Sequence, residues 1–107
     1  MGQPLYIHPA TLPDSMMGDM IHAGLDGAVF GFGVETSYHL LRLVTTGIFD
    51  RYPDLQIMAG HGLEALPYWL YRTDFMHKAG IRSKRYARLK PLQHDLFHYM
   101  RNNFLGT

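Results

Sequence analysis

Seven histidines in a chain of 107 residues give this sequence an unusual stock of metal ligands and proton carriers. Two of them occupy equivalent places. His8 closes the apolar run Leu5-Tyr6-Ile7, and His61 follows Leu55-Gln56-Ile57-Met58-Ala59-Gly60. A neutral imidazole suits zinc, iron or manganese and also serves as an acid or base near neutral pH. In a parallel β/α fold the carboxyl ends of strands face the active site, so two strand-end imidazoles can share one pocket. The bland alternative is that each caps its strand and bonds a local carbonyl. For one histidine alone that alternative is preferred; the matching placement of both reverses the preference.

Three other side chains extend the pattern. Glu64, three residues after His61, stands in the first turn of a following helix. There it can orient His61 or hold its proton, or simply be an acid at a helix N-terminus. Arg72 lies about three turns further on, where a guanidinium can bind a substrate carboxylate in bidentate fashion or pair with Asp74. Glu35 and His39 share a helix face at i, i+4, as do His94 and His98, and both read as ordinary side-chain pairs. His22 and His77 show no such placement.

These residues need a scaffold. Residues 4–8 predict a short strand, apolar on both faces as in a buried parallel sheet. Residues 10–33 predict a long loop punctuated by Pro13 and several glycines. A helix is predicted over 34–49, with Val34, Tyr38, Leu41 and Ile48 on one face and Leu40 and Val44 beside them, then a turn, a strand over 55–59 and a helix over 63–78 ending near Gly80. Residues 81–90 read as irregular. A last helix is predicted over 91–102, with Pro91 in its first turn, and Phe104-Leu105 begins a third strand. The alternation implies α/β architecture with a parallel sheet and crossover helices.

Composition limits the rest. Hydrophobic residues reach 47 % and charged residues only 18 %, too little polar surface for a free-standing small globule. Net charge is +1, which offers no global case for nucleic acid. Lys78, Arg82, Lys84, Arg85, Arg88 and Lys90 form an acid-free basic run, read as a solvated loop or a subunit contact. The absence of cysteine excludes disulfides and thiolate metal sites and fits a reducing, cytoplasmic setting. No apolar run approaches a membrane span, and no signal peptide is visible.

Several stretches together resemble one family. They are Pro4-Leu5-Tyr6-Ile7-His8-Pro9, Phe32 with Glu35-Thr36, His39-Leu40-Leu41-Arg42-Leu43, Gly47-Ile48-Phe49-Asp50-Arg51-Tyr52-Pro53, Gly60-His61 with Glu64, Leu66-Pro67, and Arg72-Thr73-Asp74. In order and spacing the chain resembles the amidohydrolase-related metal-dependent decarboxylases acting on γ-resorcylate, 5-carboxyvanillate and aminocarboxymuconate semialdehyde.

The resemblance implies a partial TIM (β/α)8 barrel, about strands five to seven with their helices, and residues 1–107 as an interior piece of one such domain. An eight-stranded barrel takes about 250 residues. It also implies one divalent ion, zinc or manganese, with His8 as a metal ligand. His61 with Glu64 becomes the catalytic acid/base pair, and Arg72 the contact for the carboxylate. The implied partner is a small aromatic carboxylate that loses CO2. The full-length protein is expected to be a homo-oligomer, with no nucleic-acid or membrane partner. The chain alone is expected to be inactive, because the family's other metal ligands lie outside it. Two departures stand out. The family reads Gly-His-x-Gly-Glu where this chain has Leu63 before Glu64, and its tryptophan near the glycine-rich loop is replaced by Phe30. A metal-dependent hydrolase of the same superfamily and a non-catalytic remnant are the competing readings.

Overall fold

The computed structural model describes residues 2–107. Three short strands, β1 (Leu5–Ile7), β2 (Ile57–Ala59) and β3 (Phe104–Gly106), form one parallel sheet in the order β1-β2-β3. Their ends are level: Ile7 pairs with Ala59, and Ala59 with Gly106. Parallel neighbours require crossover connections, and the helices supply them. Between β1 and β2 lie α1 (Asp14–Met17), α2 (Asp19–His22), α3 (Gly31–Thr45) and α4 (Ile48–Arg51). Between β2 and β3 lie α5 (Leu66–Ser83) and α6 (Leu96–Asn102).

The core is built where the helices meet β2 and β3. Leu40 and Val44 of α3, Phe49 of α4, Leu66 and Leu70 of α5, and Leu96 and Tyr99 of α6 pack with Ile57, Ala59 and Phe104. Asp50 and Asp74 fasten the second crossover to this core. Asp50 accepts the phenol of Tyr99 and, at 3.1 Å, the Gln93 amide. Asp74, itself buried, accepts the Leu96 amide at 2.9 Å and Lys78 Nζ at 2.7 Å.

The element order agrees with the sequence pattern, while several boundaries and faces do not. The expected helix over 34–49 is two helices. Gly47 adopts the left-handed conformation (φ 75°) that ends α3 and starts α4. The inward face of α3 contains Thr36, Ser37, Leu40 and Val44, and Tyr38 is exposed; the small residues let the helix approach its neighbours closely. Gly80 does not stop α5. A Cβ there would come within 2.8 Å of Leu89, so the glycine serves close packing and the helix runs on to Ser83. The last helix starts at Leu96 rather than near Pro91, because Asp95 supplies the N-cap by accepting the His98 amide at 2.8 Å. The expected loop over 10–33 contains α1 and α2. Finally, β1 is not buried on both faces: Leu5 and Tyr6 are more than half exposed.

Candidate active site

Strand register brings the two strand-end imidazoles together. Ile7 and Ala59 are paired, and the Gly60 amide bonds the Ile7 carbonyl at 3.1 Å. One residue beyond β1 stands His8, and just past β2 stands His61. Their rings meet edge to face with centroids 5.6 Å apart. Phe32, at the start of α3, stacks on the His61 ring at 6.1 Å and 25°. Three elements thus converge on one point at the carboxyl ends of the strands.

Each imidazole has its tautomer set by a neighbour. His8 Nδ1 lies 2.7 Å from the Pro9 carbonyl oxygen, which can only accept. The proton therefore sits on Nδ1, and Nε2 keeps its lone pair. His61 Nδ1 lies 2.6 Å from Glu64 Oε1. An ionised carboxylate also only accepts, so His61 likewise carries a proton on Nδ1, and in the neutral ring Nε2 keeps its lone pair. Glu64 is the more sheltered of the pair, its side chain 17 % exposed against 47 % for His61. It also lines a hollow of about 260 Å³ with Phe30, Val34 and Trp69.

The backbone that holds this pair is unusual. His61, Gly62, Leu63 and Glu64 all have positive φ, at 54°, 63°, 69° and 54°. Three of the four are not glycine, and backbone of this kind costs about 1–3 kcal/mol per residue. Strain of this kind persists only where surrounding contacts over-determine it. Gly62 is the one sequence signal of this turn, and it is not enough to reveal a run of four.

The sequence expectations sort themselves by position. His8, His61 and Glu64 come together. Arg72 does not join them: it is exposed on α5 and lines a separate hollow with Leu41, Thr45, Met76, Tyr86 and Leu89. Nor is it paired with Asp74, which holds Lys78. Glu35 accepts a hydrogen bond from Thr36 at 3.1 Å, and His39 is exposed. His94 and His98 stack on each other at 3.8 Å beside Tyr99. The basic run is exposed apart from its Lys78–Asp74 bond, and Arg85 lies over Tyr86.

For a divalent ion, the bare Nε2 of His8 is a fitting donor in chemistry. Among the described residues no group of three His, Cys, Asp or Glu is arranged to hold a metal. The chain therefore offers part of a coordination shell, whereas a catalytic site normally takes about three protein ligands.

The α/β chain that pairs two imidazoles at level strand ends, one oriented by a carboxylate, is similar to several known decarboxylases. No protein-family model matches the chain. It is 37 % identical over 105 residues to a γ-resorcylate decarboxylase of Polaromonas sp., covering 97 % of this chain and 31 % of that protein. It is 39 % identical over 105 residues to one of Rhodococcus jostii, with the same coverage. The crystal structure of 5-carboxyvanillate decarboxylase from Novosphingobium aromaticivorans, complexed with manganese and 4-hydroxy-3-methoxy-5-nitrobenzoic acid, superposes with a TM-score of 0.93 at 67 % identity, over 97 % of this chain and 30 % of that one. A 2,6-dihydroxybenzoate decarboxylase complexed with 2,6-dihydroxybenzoate gives 0.79 at 30 % identity, over 98 % and 32 %. The chain is a homologue of the γ-resorcylate and 5-carboxyvanillate decarboxylases. It spans about 30 % of their length.

Proposed function

We propose that this chain forms part of a metal-dependent, non-oxidative decarboxylase of a small hydroxyaromatic carboxylic acid, contributing about strands five to seven of a TIM barrel. The observation that carries the reading is the meeting of His8 and His61 at level strand ends, with Glu64 on His61 Nδ1. The sheet supports it too, since both its edge strands are unpaired on their outer sides in a parallel fold. The 67 % identical neighbour is an enzyme of this reaction class, crystallised with manganese.

In this reading residues 1–107 belong to one barrel domain. His8 Nε2 supplies one ligand to a divalent ion, manganese or zinc. Such an ion, when bound, polarises and orients the acid as a Lewis acid and template. Glu64 keeps the His61 proton on Nδ1, so that Nε2 can take and return a proton of the substrate's hydroxyl group. Phe32 fixes the His61 ring plane and offers an aromatic face to a flat substrate. Arg72 is proposed as the carboxylate's partner; its place in a separate hollow makes it the assignment with least support from the geometry. The protein is proposed to self-associate through α5, whose Tyr68, Tyr71 and Phe75 are exposed. No helix among the described residues is long and apolar enough to cross a membrane, and a cytoplasmic setting is proposed.

The test is a chimera in which this chain replaces the matched 30 % of the Novosphingobium enzyme. It is assayed for bound metal and for CO2 release from 5-carboxyvanillate and a panel of hydroxybenzoates. Metal binding with CO2 release is expected. A folded, metal-loaded chimera that releases no CO2 from any of them would overturn the reading.

A further inference from the structure

The left-handed turn that carries His61 and Glu64 is held from outside by the end of β3. The Gly62 amide donates to the Thr107 carbonyl at 2.6 Å, and the Thr107 amide donates to the Ala59 carbonyl at 3.1 Å. These two bonds clamp the turn between the last residues of β2 and β3. Gly106 makes the clamp possible. A Cβ built on it would lie 3.3 Å from both the Cα and the carbonyl carbon of Gly62 and 3.4 Å from Leu63 Cγ. The first two neighbours are backbone, which cannot swing aside as a side-chain tip can. Leu63, at φ 69°, is buried against the core.

The need for such a clamp follows from the turn itself. A run of four positive-φ residues, three of them with side chains, relaxes toward ordinary backbone unless outside contacts forbid it. Any relaxation rotates His61 away from Glu64, because the 2.6 Å bond joins residues at the two ends of that run. We propose that Gly106 and Thr107 are positioning residues for the His61–Glu64 pair: they fix the left-handed turn, and through it the tautomer and aim of the His61 imidazole. The proposal rests on the reading of His61 as the proton carrier, though its test does not depend on turnover.

The experiment uses the chimera described above, labelled with 15N in its histidine rings, at a pH above the histidine titration range. Long-range proton–nitrogen correlation reports which ring nitrogen bears the proton. In the wild type, His61 is expected to show a protonated Nδ1 and a bare Nε2. Gly106→Ala pushes on the turn, and Thr107→Pro removes the amide that bonds Ala59. In both variants the Nδ1-protonated signature of His61 is expected to be lost in favour of the Nε2-protonated form preferred by free imidazole, with backbone resonances of α3 and α5 unmoved. Persistence of the signature in both variants, or its absence from the wild type, overturns the proposal.

If the variants do not fold, hydrogen exchange in the wild type decides. The Gly62 amide is expected to exchange far more slowly than that of Gly27, and equal rates overturn the clamp. A chimera without CO2 release but with the wild-type signature intact would remove the decarboxylase reading and leave the clamp standing.

Discussion

His8 and His61 stand edge to face, 5.6 Å between ring centroids, because the strands that carry them are paired so that Ile7 and Ala59 end level. Both have their Nδ1 proton engaged, one by a carbonyl and one by a carboxylate. The two roles are therefore separable. In the chimera, His8→Ala is expected to lose most of the bound metal. His61→Ala is expected to keep most of it and to lower turnover by about 100-fold or more, the usual share of a positioned acid/base. Metal content beside CO2 release reads both. A His8→Ala protein with full metal would end the assignment of His8 as a ligand.

Arg72 offers a sharper test of the substrate-binding assignment, since it is exposed and apart from the imidazole pair. If it holds the carboxylate, Arg72→Met removes a charged hydrogen bond worth about 1.5–3 kcal/mol, and KM rises roughly 10- to 100-fold. Arg72→Lys recovers little of this, because an ammonium lacks the planar fork. Unchanged KM in both variants assigns Arg72 to the surface of α5.

His77 predicts a loss of stability in mild acid. Burial holds its pKa below the ordinary value of 6.5, opposed by the nearby Asp74 carboxylate and assisted by Lys78. Its Nε2 is buried without a hydrogen-bond partner. Below pH 6.5 the unfolded chain binds a proton that the folded chain resists, so unfolding gains protons and stability falls as pH drops. Above 6.5 this contribution is complete. The midpoint of urea unfolding is expected to fall on going below about pH 6.5, and more steeply in the wild type than in His77→Gln. Parallel curves for the two proteins would refute the assignment.

Tyr99 predicts the opposite slope at the alkaline end. Burial first, and then the hydrogen bond to Asp50, raise the phenol from 10 to about 12. Between these values the unfolded chain loses its proton while the folded chain keeps it. The stability from this group is present below pH 10 and is lost as pH rises toward 12. Tyr99→Phe removes that slope. At neutral pH it also leaves Asp50 Oδ1 and the His94 amide without this partner, at a cost of about 1–3 kcal/mol. Thermal unfolding of both proteins at neutral pH and near pH 11 reads the two effects together.

Much of this protein was legible in the residues alone. The strands were fixed by short apolar runs ending at Pro9 and at Gly60, and the parallel order followed from the helical stretches between them. His8 and His61 were visible as a pair because a strand end is a position that local sequence can mark. Glu64 was visible because three residues is a distance that a single turn spans.

Tertiary structure decided the rest, wherever an outcome depended on contact between distant segments. It split the first long helix at Gly47 and carried α5 through Gly80, because a glycine's role depends on what lies beside it: nothing marks in advance whether it will turn the chain or admit a neighbour such as Leu89. It moved Arg72 away from the imidazoles, since a spacing along a helix does not say which face the core will take. It also set Leu63 and Glu64 in left-handed backbone, a state their side chains disfavour and only packing can enforce. That enforcement comes from Gly106 and Thr107, far along the chain, through a pairing of β2 with β3 that no local pattern around His61 contains.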